Sequence, residues 1–103
     1  MIAKTPKPPY YAVIFTSHKS ADDSGYVQMA NRMVELANQA EGFLGMETAR
    51  NETGITVSYW SDLESIKKWK ENTEHLTAQK LGKEKWYKNY KTRICKVERD
   101  YEF

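Results

Sequence analysis

A chain of 103 residues, 40% apolar and 29% charged, makes one domain: too short for two cores, long enough to bury a modest one. Its net charge of +2 is too small to argue for nucleic acid by itself. The longest uncharged run, residues 8–18, is roughly half of a bilayer span, and residues 1–9 lack the apolar stretch of a secretion signal. A lone cysteine, Cys95, excludes an internal disulfide and a Cys-built zinc site, and two histidines, His18 and His75, leave little for an all-protein metal cage. A cytoplasmic, reducing compartment is expected.

Residues 1–9 hold all three prolines and read as an extended, flexible arm. Residues 10–18 predict a first strand, with Tyr11, Val13 and Phe15 on one face and Ala12, Ile14 and Thr16 on the other. Asp22, Asp23 and Ser24 offer an N-cap for a helix over about residues 25–40. Its expected apolar stripe is Val27, Ala30, Val34 and Ala37, flanked by Met33 and Leu36, with Gly42 as the C-terminal stop. Strands follow at residues 43–50 and 55–60, joined by a turn ending in Gly54. Ser61 and Glu64 have the spacing of a capping box for a second helix burying Leu63, Ile66 and Trp69. Thr73 or Glu74 opens a further short helix carrying Leu76 and Leu81, stopped by Gly82. Residues 84–90 form an aromatic loop or one helical turn, and residues 92–103 alternate as a last strand.

The order β-α-β-β-α-β is the ferredoxin-like, split βαβ arrangement: an α+β fold in which helices cover one face of an antiparallel four-stranded sheet. The other face must find cover, and the aromatic residues on these strands are more than a wet face would carry. Sheet-to-sheet homodimerisation, closing an α+β barrel, is therefore expected. Charge is uneven: residues 67–96 carry ten Lys or Arg against three acids, interleaved with Trp69, Trp86, Tyr87 and Tyr90. Such a stretch suits phosphates and bases or, more simply, is a solvated face whose Lys stems cover aromatics. RNA recognition motifs share this element order but need a Gly- and aromatic-rich third strand, which Ile55-Thr-Val-Ser-Tyr-Trp60 does not supply. Neither nucleic acid nor a membrane is an expected partner.

Glu41-Gly-Phe-Leu-Gly45 resembles the "PGFLG" turn of the antibiotic biosynthesis monooxygenase superfamily, with Glu41 in place of Pro. Val57-Ser-Tyr-Trp60-Ser-Asp-Leu-Glu-Ser-Ile66, then Trp69, Thr73-Glu-His75, Gly82-Lys-Glu-Lys-Trp86-Tyr87 and Val97-Glu-Arg99-Asp-Tyr101 continue the likeness over about residues 10–103. The resemblance implies a dimeric α+β barrel with a pocket between helices and sheet. It also implies oxidation of a small aromatic or quinol-like molecule with no bound cofactor. A non-enzymatic dimeric binder of a hydrophobic molecule such as heme or a quinone is the alternative, as is heme degradation. In heme-degrading relatives an Asn, a Trp and a ligating His form the site. Matching their Trp to Trp69 puts Gln79 at the ligating position and Thr16 or Ser17 in place of the Asn.

His75 is the candidate general base, since imidazole titrates near neutrality; the bland reading is a surface or capping histidine. Trp69, spaced with Leu63 and Ile66, reads as core or pocket wall. Tyr59 and Trp60 alternate, so one faces the pocket and the other a dimer partner. Trp86 and Tyr87, with Tyr90, roof the pocket or seal the dimer edge. The expected substrate-binding set is thus Tyr59, Trp60, Trp69, Trp86 and Tyr87. His18 is expected to be exposed and Cys95 to be a small buried apolar group. Arg93 and Arg99 are read as ion-pair partners for strand-neighbour acids such as Glu47.

Overall fold

The computed structural model describes residues 2–22, 24–72 and 85–103. The elements run β1 (Tyr10–Lys19), α1 (Tyr26–Gln39), β2 (Phe43–Arg50), β3 (Thr53–Trp60), α2 (Leu63–Glu71) and β4 (Tyr87–Val97). The sheet order is β2-β3-β1-β4 with every neighbour antiparallel, which is the ferredoxin-like topology. The expected short helix from Thr73 or Glu74, with Leu76, Leu81 and Gly82, lies outside the described residues.

Register assigns the faces. Val13 sits opposite Ser58 on β3 and Ile94 on β4, and Phe15 opposite Thr56 and Thr92. With Met46, Thr48 and Trp60 they form the face under the helices. Tyr10, Ala12, Ile14, Val57, Tyr59 and Cys95 alternate onto the outer face. A register shift between Phe43 and Gly45 makes Leu44 the extra residue of β2 and keeps Phe43 beside Trp60.

The outer face is partly covered by the chain's own ends. The Ala3 N–H donates to Glu47 Oε2 at 2.9 Å, and Tyr59 donates its hydroxyl to Glu47 Oε1 at 2.6 Å. Tyr10, buried, donates to Asp100 Oδ2 at 2.6 Å and accepts from Thr5 at 3.0 Å. Glu47 is therefore not the partner of Arg93. β2 and β4 are opposite edges of the sheet, roughly 14 Å apart at about 4.8 Å per strand.

Several boundaries differ from the sequence expectation. The N-cap of α1 is Gly25, in the left-handed region at φ 81°, without a side-chain cap; Asp22 instead accepts from the N–H and hydroxyl of its neighbour Ser24. The C-cap of α1 is Ala40. Gly42, two residues on at φ 80°, allows the close approach of α2: an added Cβ would lie 2.1 Å from Ser65 Oγ. Of the expected α1 stripe, Ala30, Met33, Val34 and Ala37 line the cavity, while Val27 is 62% exposed and Tyr26 and Met29 take the inner positions at the start of the helix.

The cap of α2 is Asp62, one residue later than expected, accepting from Ser65 N at 2.7 Å. Ser65 and Ile66 are buried, but Leu63, the first helical residue, is 53% exposed at the rim of a hollow shared with Ile94. β4 starts five residues earlier and stops six earlier than its alternation suggested. It extends only as far as β1 offers backbone partners, from Tyr87 opposite Lys19 to Val97 opposite Tyr10.

Candidate functional site

Between the two helices and the inner sheet face lies a cavity of about 280 Å³, near the lower end of small-molecule sites. Its sheet floor is Val13, Phe15, Met46, Thr48, Thr56, Ser58, Thr92 and Ile94; α1 contributes Tyr26, Met29, Ala30, Met33, Val34 and Ala37. Alternation on the strands and i, i+3, i+4 spacing on α1 aim these side chains at one space.

Aromatic clusters stand at both ends. At one, Trp60 is fully buried, with its ring centroid 5.3 Å from Phe43 and 5.6 Å from Trp69. Its indole N–H donates to Ser58 Oγ at 2.9 Å, so burial leaves no unpaired donor. At the other, Phe15 packs against Tyr87 and Tyr90 at 5.5 and 5.2 Å, and Tyr26 against Tyr87 and Trp86 at 5.8 and 6.0 Å. Trp86 fixes this end by donating to the Ser24 carbonyl at 2.9 Å, while its own carbonyl accepts from Ser20 N at 2.7 Å.

Electrostatically the cavity is quiet. Burial, then a hydrogen bond with Tyr26, holds the Tyr87 hydroxyl well above the usual phenol range. Among the described lining residues none is Asp, Glu, His or Cys, and Lys70 is the one charged group. Nowhere among the described residues do three or more His, Cys, Asp or Glu side chains gather to hold a metal ion.

Of the residues expected to bind substrate, the cavity brings together Trp60, Trp69, Trp86 and Tyr87, along with Tyr90. Tyr59 is not among them. It lies on the outer face, 5.8 Å ring to ring from Tyr10, where burial and then Glu47 push its pKa up to about 12. His75 and Gln79, on which the base and heme readings turned, lie outside the described residues. His18 is exposed, as expected, between Asn89 at 2.7 Å and Thr53 at 3.0 Å. Cys95 is half-buried on the outer face rather than in a core. Sequence reasoning missed Tyr26, Met29, Met46 and Thr48. The bulge at Leu44 hid the last two, since strict alternation from Phe43 puts Gly45 and Glu47 on its face; the first two lie just outside the stripe expected for α1.

A four-stranded antiparallel sheet with two helices over an aromatic-walled cavity defines an α+β fold class to which known proteins can be compared. Residues 14–95 match the family model described as Monooxygenase af470-like, and the chain belongs to that family. The likeness to antibiotic biosynthesis monooxygenases drawn from the sequence holds. The uncharacterised protein YqjZ of Bacillus subtilis is 50% identical over 95% of this chain and 88% of its own length. Among solved structures, PA3566 from Pseudomonas aeruginosa superposes with a TM-score of 0.73 at 14% identity, covering 93% of this chain and 99% of that one. A point mutant of SnoaB, a cofactor-independent oxygenase from Streptomyces nogalater, gives 0.75 at 7% identity, covering 88% and 95%. At those identities the likeness is one of fold. No helix among the described residues is long and apolar enough to cross a membrane.

Proposed function

We propose that the cavity binds a small aromatic or quinol-like molecule and that the protein oxidises it with molecular oxygen, without a bound cofactor. The observation that carries this is the aromatic and methionine lining of the cavity in a chain of a monooxygenase family. A phenol that loses its proton becomes electron-rich enough to react with oxygen directly. One oxygen atom enters the ring as the second carbonyl of a quinone and the other leaves as water, so the substrate supplies all the electrons. The site's tasks are to orient the ring, exclude water and take one proton. Ring-on-ring contacts with Trp60, Trp69 and Tyr87 suit the first task. His75 is the proposed base. SnoaB supplies the precedent of a cofactor-independent oxygenase on this fold.

The working unit in this reading is a homodimer. The outer face carries Ile14, Ile55 and Val57, of which Ile55 is 45% exposed, and a second copy's sheet would cover them.

The test is oxygen uptake with 1-naphthol. The expected result is one oxygen consumed per naphthol, above the uncatalysed rate, with His75→Ala slowing it about 100-fold, the scale of a lost general base. Saturable binding with no uptake would contradict the reading in favour of a non-enzymatic binder. That second reading is favoured by one observation: no described lining residue is a carboxylate or an imidazole.

A further inference from the structure

Arg50 ends β2 on the cavity side of the sheet, two residues beyond Thr48, which lines the cavity. Its guanidinium lies flat on Gly54, where an added Cβ would stand 2.1 Å from both Cζ and Nη2; only glycine leaves that seat open. Nη2 donates to Ser17 Oγ, and Ser17 is 1% exposed. The Tyr26 ring covers the other side, its centroid 5.8 Å from Cζ.

Among the described residues the buried Nη1 has no hydrogen-bond partner, and Arg50 enters no ion pair. A guanidinium stays charged at any working pH. A buried charged donor without an acceptor is among the defects a fold rarely tolerates without a reason. Arg50 does not itself line the cavity, but Tyr26, whose ring it faces, does, and its charge reaches Tyr87, where it offsets part of the rise that burial and Tyr26 impose on that hydroxyl. No carboxylate among the described lining residues opposes that positive field.

We propose that the cavity takes its aromatic ligand as an oxyanion, with the negative oxygen at the Tyr26–Tyr87 end, where Arg50 sets the preference for charge. Arg50 is a specificity-determining residue here, acting through the two tyrosines. The inference rests on the proposed aromatic site. A phenolate and a carboxylate present the same chemistry, and the two are separable by experiment.

Tryptophan fluorescence titrations with 1-naphthoate, with 1-naphthol across its own ionisation, and with neutral 1-naphthalenemethanol test it. We expect an anionic probe to bind roughly tenfold more tightly than the neutral one, the scale of one favourable buried charge contact. Preference for naphthoate marks a carboxylate ligand, and naphthol affinity rising with its ionisation marks a phenolate. Arg50→Gln should abolish the preference while neutral binding persists, and Arg50→Lys should retain most of it, which a merely structural role would not require. Arg50→Met, of similar volume, serves if the Gln variant does not fold. An unchanged anionic preference in a folded, uncharged variant overturns the inference and leaves the aromatic site standing. If none of the probes binds the wild-type protein, the cavity reading fails and the inference with it.

Discussion

Glu47 shows how much a single side chain is asked to do. It ties the N-terminal segment to the sheet through the Ala3 N–H and holds Tyr59 on the outer face. The Tyr59 hydrogen bond first, then the Ala3 N–H, hold its carboxyl below the usual glutamate range. A depressed carboxylate contributes stability above its unfolded pKa and loses that contribution as pH falls through its folded one. The melting temperature of Glu47→Gln should therefore lie below that of wild type at neutral pH. The gap should close as pH drops below about 4.5; a gap independent of pH would show that the charge is immaterial. Tyr59, raised from 10.0 to about 12, contributes with the opposite pH dependence: fully below its unfolded pKa, and lost as pH climbs from there through its folded one. The opposition of Tyr59 and Trp60 was legible in the sequence, because strand alternation is a local rule. The seat of Arg50 was not: it depends on Gly54 facing Arg50 across the β2–β3 pair, which no local pattern encodes.

At the scale of elements, α2 shows what a motif can and cannot locate. Ser61-x-x-Glu64 has capping-box spacing, but Asp62 begins the helix. Ser61 turns its backbone N–H to the Gly42 carbonyl at 2.8 Å and its hydroxyl to Asp62 Oδ2 at 3.0 Å. A carboxylate at the N-cap also favours the helix dipole, and its hydrogen bonds to the Ser65 N–H and side chain hold Asp62 below the usual aspartate range. Asp62→Ala should lower the urea midpoint clearly, and Ser61→Ala by much less. Equal losses would mean that the cap is shared. The start of α1 has a similar lesson. Its expected stripe holds at Ala30, Met33, Val34 and Ala37, but Val27 gives way to Tyr26, which packs against Trp86, sixty residues on in the chain. β4 was misjudged at both ends because a strand's length is set by its partner's backbone, not by its own alternation.

For the whole molecule, element order and sheet topology were legible from hydrophobic periodicity and turn residues alone. A cavity wall of Trp60, Trp69, Trp86 and Tyr87 was expected through the family resemblance, which implies a pocket between helices and sheet; Tyr59, expected with them, lies on the outer face. The cavity's volume and quiet electrostatics were not legible, as both arise from packing of helices on sheet. The central claim is that this space receives an aromatic ligand. Three of the four methionines, Met29, Met33 and Met46, line it, which provides direct reporters. The decisive measurement is a titration of protein carrying 13C-methyl methionine with 1-naphthol under nitrogen, followed by methyl NMR. The account predicts saturable shifts of all three resonances at one ligand per chain, with ring-current displacements on Met29, Met33 and Met46 together. Saturable binding that leaves these methyls unmoved would place the ligand elsewhere and contradict the account.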